Sequence, residues 1–175
     1  APELCWTRGG PPWAERADGV WRLWEFVPAA RALPRLTTTA QAEAAARAFG
    51  GVQVALADYP HAVSEPIPGF MRLGHYLEAL DAAPPVDEPG VAVAMTAIDG
   101  RRDLAHAFPP GSRLVHGDCK IDNLLFRADD TVAYVIDLDT VMHGHWAWDF
   151  GDLARSAATS AGAFDVERFA ALARG

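Results

Sequence analysis

The chain has 175 residues, is 50% hydrophobic and 22% charged, and carries a formal net charge of −8, which predicts one compact domain, or one domain plus part of another. No basic run or basic helix occurs, so we expect neither nucleic acid nor a membrane as a partner, and no apolar stretch approaches the length of a membrane span. The two cysteines, Cys5 and Cys119, make no disulfide framework, which favours a reducing, cytoplasmic location.

The first 27 residues have the composition of a small β-meander. Turn signals at residues 9–12 and 17–19 separate aromatic and branched stretches, which predicts strands at roughly 3–7, 12–16 and 20–27. We expect the tryptophans of this part to mark a core. The last strand runs into Pro28 and small residues, and this exit is equally typical of a hinge and of a plain strand end.

Helical patterns occupy the next stretch of the chain. Threonines at 37–39 offer N-caps for a helix over residues 40–57, and leucines spaced along one stripe predict a second helix over residues 70–82. A third, weaker helix is predicted over residues 88–108, with Gly100 as an interruption. Residues 109–111 then lead into a short apolar strand.

The most informative stretch follows this strand. It carries the pattern His-x-Asp-x-Lys-x-x-Asn at residues 116–123, then a short strand at 124–126, and a β-branched run that ends in Asp137 and Asp139. Strand ends of this kind place polar side chains around one cleft. The spacing resembles the catalytic and metal loops of protein-kinase-like phosphotransferases.

Phosphoryl transfer requires positioning and charge neutralisation more than covalent help. Asp118 suits a base that orients an acceptor hydroxyl and accepts its proton. Asn123 and Asp137 offer the oxygen ligands that magnesium prefers, and Lys120 can reach the transferred phosphoryl group. We interpret His116 as a scaffold for the loop. The competing interpretation is that these residues serve turns alone.

The rest of the chain predicts a loop at 140–145, a segment that becomes helical after Trp146, and a final helix over 164–174 capped by Asp165.

Together these motifs resemble the aminoglycoside phosphotransferase family, and within it the N-acetylhexosamine 1-kinase branch. The likeness rests on residues 116–123, 136–142 and 148–152, and more weakly on 24–27, 57–60 and 65–68. It implies an α+β, protein-kinase-like fold that contains mostly the helical large lobe with the last strands of the small lobe. It also implies ATP and Mg²⁺ as cofactors and a small-molecule acceptor: a sugar, amino sugar or amino alcohol.

The resemblance also implies a role for individual residues. Asp118 is the base, Asn123 and Asp137 are metal ligands, and Asp139 is an accessory acid near the second metal position. The backbone of Glu25, Phe26 and Val27 binds the adenine edge, as a hinge does. His116 supports the catalytic loop, and either Asp149 or Asp152 tethers its backbone, although both also suit a helix N-terminus. These assignments cover the following residues: Glu25, Phe26, Val27, His116, Asp118, Lys120, Asn123, Asp137, Asp139, Asp149 and Asp152.

The chain departs from the family pattern in its first part. A Gly-rich phosphate loop and a strand lysine precede the hinge in such kinases, whereas the only lysine here is Lys120. We therefore predict that residues 1–30 are a remnant of the small lobe, that 31–175 form an incomplete large lobe, and that this stretch alone is marginally stable and nearly inactive.

Two other functions remain open from the sequence. The first is a non-catalytic nucleotide-binding or interaction module derived from such a kinase. The second is a zinc site, for which the residue types are adequate, formed by His116, Cys119, His143 and His145. The sequence indicates no oligomeric state.

Overall fold

The computed structural model of the protein describes residues 1–108, 113–160 and 162–175. Within these ranges the helices are α1 (Thr39–Ala55), α2 (Leu73–Asp81), α3 (Pro89–Asp99), α4 (Trp146–Ala157) and α5 (Val166–Leu172). The strands are β1 (Ala14–Arg16), β2 (Gly19–Trp21), β3 (Arg113–Val115), β4 (Leu124–Phe126), β5 (Val132–Val135), β6 (Met142–Gly144), β7 (Thr159–Ser160) and β8 (Ala163–Phe164). Across the described residues the strands pair antiparallel as β1–β2, β3–β6, β4–β5 and β7–β8, so the α+β class is confirmed.

Helix α1 is the centre of the packing, and its start is fixed by a capping box. The Thr38 hydroxyl accepts a hydrogen bond from the Gln41 amide at 3.1 Å, and the Gln41 side chain accepts one from the Thr38 amide at 3.4 Å. These bonds satisfy amide groups that a helix start leaves without partners. Alanines and Phe49 on one face of α1 are buried, and small side chains let α4 and α5 pack closely against it. The helix predicted over 40–57 is confirmed to within two residues.

The hairpin β4–β5 forms the other wall of this core. Leu124, Phe126 and Val135 are buried on the face turned toward α1. Phe126 also exchanges two backbone hydrogen bonds with Arg31, at 2.9 and 2.8 Å, so the segment that follows the hinge-like stretch is attached directly to β4.

The N-terminal part is less regular than predicted. Strands form at Ala14–Arg16 and Gly19–Trp21, whereas the predicted strand at 3–7 reduces to one bridge between Leu4 and Trp24. The expectation that its tryptophans mark a core is wrong, because Trp6 is 72% exposed and Trp21 is 57% exposed.

The prediction of a loop at 140–145 is also wrong, since this stretch contains β6, which pairs with β3. The strand pattern of β6 is hard to recognise in the sequence because the strand ends in Gly144, where neighbouring side chains leave no room for a larger residue. A Cβ at Gly144 would lie 2.7 Å from Val115 Cγ2 and 2.8 Å from the Trp148 ring. Helix α4 then begins at once, at Trp146.

The remaining helix predictions agree with the structure only in part. Helix α2 lies within the predicted range, and α3 ends at Asp99, just before Gly100, so the predicted continuation to residue 108 is a 3-10 turn at Arg102–His106. Asp165 caps α5 with its side chain, whereas Phe164, predicted to start this helix, belongs to β8. The residues 109–111 that were predicted to lead into β3 lie outside the described residues. None of the helices in the described ranges combines the length and apolarity needed to cross a bilayer.

Helices α2 and α3 lie apart from the core. Every residue in them is at least partly exposed, including the apolar side chains of Leu73, Tyr76 and Val93. The predicted leucine stripe of α2 is present, but it covers little of the rest of the molecule.

Candidate functional site

Asp118 lies in the loop between β3 and β4, with part of its side chain open to solvent. Its Oδ2 accepts a hydrogen bond from Lys120 Nζ at 2.6 Å. This bond is the main reason that the pKa of Lys120 is raised above its usual value, and the nearby charge of Asp118 adds to the effect. Lys120 is therefore protonated at neutral pH and keeps one positive charge beside the Asp118 carboxylate.

Asn123 is buried and is oriented by Asp118. Its Nδ2 donates to the Asp118 carbonyl at 2.8 Å and to Asp118 Oδ2 at 2.9 Å. Since both N–H groups of the amide are directed at Asp118, the amide oxygen of Asn123 points the other way. The arrangement fixes one of the two amide orientations and leaves an oxygen ligand directed away from the base.

Asp137 follows β5 and is placed next to Asn123 by the backbone. The Ile136 amide donates to the Asn123 carbonyl at 2.9 Å, so the two ends of the hairpin meet at this point. Asp137 itself adopts a left-handed conformation with φ 63° and ψ 61°, which is uncommon outside glycine and best tolerated by Asn and Asp. The backbone turns sharply here and leaves the Asp137 side chain exposed.

Asp149, on α4, holds the backbone of the loop that carries Asp118. It is 3% exposed and accepts hydrogen bonds from the amides of His116 at 2.8 Å and Gly117 at 2.9 Å, and from Gln53 Nε2 on α1 at 2.8 Å. Of the two aspartates considered from the sequence, Asp149 makes these bonds, whereas Asp152 pairs with Arg155 at 2.7 Å.

The His116 ring is fully buried and is held from two sides. Its Nδ1 lies 3.3 Å from the Asp118 amide and its Nε2 lies 3.1 Å from the Ile136 carbonyl, which assigns the proton to Nε2. The edge-on contact with Phe49, at 5.2 Å between ring centroids, connects the ring to α1. His116 thus connects the loop of Asp118 to the segment between β5 and Asp137.

A contact between Gly117 and Thr140 was not foreseen from the sequence. The Thr140 hydroxyl donates to the His116 carbonyl at 2.9 Å, and a Cβ at Gly117, where φ is +81°, would lie 2.5 Å from the Thr140 carbonyl oxygen. The glycine inside the motif was a usable signal for a close approach; nothing in the spacing pointed to Thr140 or Gln53.

Asp139 lies two residues beyond Asp137 and pairs with a residue that sequence reasoning also missed. Its Oδ1 accepts from Arg22 Nη2 at 2.5 Å, so the N-terminal part reaches this loop across 117 residues of sequence.

The hinge-like segment borders a cavity of about 480 Å³, which is lined by residues 27–30 and by the β4–β5 hairpin, including Arg127 and Tyr134. Val27 is half-buried, whereas Glu25 and Phe26 are exposed. The Glu25 amide donates to the Glu3 carbonyl at 2.9 Å, so this N–H is already used in the bridge between the first residues and the hinge-like segment.

The chemistry of Cys119 disfavours a zinc site. Burial is the main cause of a strongly raised pKa for this thiol, and the neighbouring carboxylate of Asp149 raises it further, whereas zinc binds the thiolate. In the part of the chain that the structure describes, no group of three or more His, Cys, Asp or Glu side chains is arranged to hold a metal ion.

The chain matches a protein-family model and is similar to a solved structure. A family model described as "phosphotransferase enzyme family" matches residues 2–175. The fold is similar to the crystal structure of a choline/ethanolamine kinase family protein from Mesorhizobium loti, with a TM-score of 0.56 and 19% sequence identity. The match covers 98% of this chain and 55% of that one, so the chain spans about half the length of its structural neighbour. The expected kinase-like fold is confirmed.

Proposed function

Because the chain belongs to the phosphotransferase enzyme family, we propose that it transfers a phosphoryl group from ATP to a hydroxyl group of a small molecule. The observation that carries the proposal is the set of bonds around Asp118. One carboxylate oxygen holds both a protonated lysine and the amide of Asn123, at the place where the backbone also positions Asp137. Base, cation and oxygen ligands are thereby gathered at one end of the β4–β5 hairpin.

In this proposal Asp118 orients the acceptor hydroxyl and takes its proton. Lys120 keeps its charge next to Asp118 and contacts the transferred phosphoryl group. His116 and Asp149 keep the loop in position, because they fix the backbone on both sides of Gly117. Such positioning is most of what a protein contributes to phosphoryl transfer.

The residues present fit a magnesium ion that is shared with phosphate groups. Magnesium in such sites takes one or two carboxylates, water and phosphate oxygens, and Asn123 turns its amide oxygen away from Asp118. We assign Asn123 and Asp137 as ligands and Asp139 as the accessory acid. The bound ion would neutralise charge on the phosphates.

We place the nucleotide base in the cavity beside residues 27–30, with backbone groups of Glu25, Phe26 and Val27 at its edge. The cavity includes Tyr134, three residues before Asp137. Fully extended backbone rises about 3.3 Å per residue, so at most roughly 10 Å of chain separates the two positions, which keeps the base and the phosphates of one nucleotide within reach of both. On this assignment residues 1–30 belong to the small-lobe side of the site and 31–175 to the large lobe.

For the acceptor we propose a sugar or an amino sugar. The support is the resemblance of residues 24–27, 57–60 and 65–68 to sugar kinases of the N-acetylhexosamine type. The name of the structural neighbour, a choline/ethanolamine kinase family protein, favours an amino alcohol as the second candidate. A panel of sugars, amino sugars and amino alcohols, assayed for ADP release, separates the two classes.

The second candidate function is a nucleotide-binding module without catalysis. The observation that favours it is the engagement of Asp118 by both Lys120 and Asn123, which leaves the base occupied in this state. ATP binding without turnover of any acceptor would select this function.

Replacement of Asp118 by Asn in the full-length protein tests the proposed base. We expect turnover to fall by about 10²–10⁴-fold, the usual contribution of a general base, while the Kd for ATP with magnesium changes little. Asp103→Asn is the matched control: it removes the same charge from an exposed position in the 3-10 turn at Arg102–His106 and should leave turnover within a few-fold. Retained turnover in Asp118→Asn would contradict the assignment.

A further inference from the structure

The ion pair between Arg22 and Asp139 is the most direct polar contact between the N-terminal part and the proposed metal loop. The two side chains are 44% and 65% exposed. An ion pair this exposed contributes little net stability, so stabilisation of the fold does not account for it. Arg22 can also readily leave Asp139 for a partner that binds it more strongly.

The position of Arg22 is nevertheless well defined by the backbone around it. Arg22 directly follows β2, and hydrogen bonds flank the next residues: the Cys5 amide donates to the Leu23 carbonyl at 2.8 Å and the Glu25 amide to the Glu3 carbonyl at 2.9 Å. The guanidinium is therefore presented to the Asp139 loop from an ordered ribbon. The same ribbon continues into residues 27–30, which line the cavity that we assign to the base.

The charges around the site explain what such a guanidinium can do. Asp118, Asp137 and Asp122 all raise the pKa of Lys120, and Asp139 adds a fourth carboxylate nearby. Lys120 is held by Asp118 at 2.6 Å. A nucleoside triphosphate would meet several carboxylates here, so a cationic side chain in addition to Lys120 and the proposed magnesium ion would offset part of the remaining negative charge. A guanidinium group pairs bidentately with phosphate oxygens as it does with a carboxylate, and a triphosphate offers several such oxygens and more negative charge than one carboxylate.

We propose that Arg22 is a phosphate-binding residue. In the nucleotide-free protein it pairs with Asp139; when a nucleoside triphosphate enters, Arg22 transfers its hydrogen bonds to phosphate oxygens and Asp139 is released toward the metal position. This inference rests on the proposed function, because it takes the triphosphate to be the ligand of this site.

The test measures equilibrium binding, without an acceptor, of adenosine, AMP, ADP and ATP to the full-length protein by calorimetry. Arg22→Gln should raise the Kd for ATP by roughly tenfold to a hundredfold, the usual effect of losing a charge-assisted hydrogen bond, and should leave adenosine binding unchanged. Arg22→Lys should recover part of the loss. The matched control is Arg16→Gln, which removes the same charge from β1 and should not alter the Kd for ATP.

A second variant tests the exchange itself. In magnesium-free buffer, Asp139→Asn should bind ATP roughly threefold to tenfold more tightly than the wild type, because Arg22 no longer has a competing carboxylate. Unchanged or weaker binding would overturn the exchange even if Arg22→Gln proved unstable.

The outcomes separate the two proposals. If the wild type and Arg22→Gln bind ATP with the same Kd, this inference is overturned and the proposed function is left intact. An equal rise in the Kd values for adenosine and for ATP in Arg22→Gln also overturns it, since that pattern shows an effect on the fold. Wild-type protein that binds no ATP removes the proposed function and this inference with it.

Discussion

Two regions of the molecule are built from similar local patterns but pack very differently. The packed region comprises α1, the strands β3–β6, α4 and α5, and it contains most of the buried side chains, such as Leu124 and Phe126. The outer region comprises residues 1–32 and 56–108, where large apolar side chains such as Phe26 and Val93 are 84% and 72% exposed. Periodicity predicts a helix equally well in either region; burial decides how much that helix contributes to stability.

The candidate site lies at the border between these regions. The packed region supplies the rigid loop of Asp118 and the ends of the β4–β5 hairpin. The outer region supplies Arg22 and the segment 27–30. Groups that need precise placement therefore rest on the buried framework, whereas the groups that we propose to contact an entering ligand come from the part with fewer packing constraints.

The largest contrast is expected for a leucine truncated in each region. Leu124→Ala removes a fully buried side chain from β4 and should cost about 2–5 kcal/mol of unfolding free energy. Leu73→Ala, at a site that is 42% exposed in α2, should cost less than about 1 kcal/mol. Urea titration followed by circular dichroism measures both. Equal losses would show that α2 is packed as tightly as β4 and would remove the distinction between the regions.

A glycine pair sharpens the comparison within the packed region. Gly117→Ala places a Cβ 2.5 Å from the Thr140 carbonyl oxygen at a φ of +81°, and the strain and crowding should cost about 2–4 kcal/mol. Gly51→Ala, in α1 with no atom near its Cβ position, should instead stabilise the protein by about 0.5–1 kcal/mol. Thermal unfolding measures both, and we expect the Tm to fall for Gly117→Ala and to rise for Gly51→Ala. A neutral Gly117→Ala would mean that the two loops can separate without cost.

The smallest expected effect concerns two aspartates on α4. Asp149→Asn replaces one acceptor oxygen by a donor facing backbone amides, and should cost about 1–3 kcal/mol. Asp152→Asn weakens only the pair with Arg155, whose side chain is 68% exposed, and should cost less than about 1 kcal/mol. Hydrogen exchange of the His116 and Gly117 amides should accelerate in Asp149→Asn alone. Similar exchange in both variants would contradict the role of Asp149 in holding the loop.

The sequence predicts the arrangement of the candidate site well where a residue's position depends on local spacing. The positions of Asp118, Asn123 and Asp137 at strand ends follow from one motif and one hairpin, and the structure places all three together. Helix bounds follow from caps such as Thr38 and Asp165, which act over a few residues.

The features that sequence reasoning missed depend on contacts between distant segments. The pairing of β6 with β3 requires Gly144 to fit against Trp148, and the Arg22–Asp139 pair joins residues 117 positions apart. Neither contact leaves a periodic signal. The exposure of the N-terminal tryptophans has the same origin, because aromatic density predicts strands but does not say which face another segment covers.

The left-handed backbone at Asp137 has a consequence for how this chain can change over generations. One nucleotide substitution converts an aspartate codon to asparagine or to glycine, and both of these residues tolerate the φ of 63° found there. Most other replacements carry a conformational cost of about 1–2 kcal/mol. The replacements that the backbone accepts most readily are thus the ones that delete the carboxylate. On the proposed role of Asp137 as a metal ligand, drift at this codon erodes chemistry before it erodes structure, so a descendant of this chain can become a well-folded protein without that chemistry in a single mutational step.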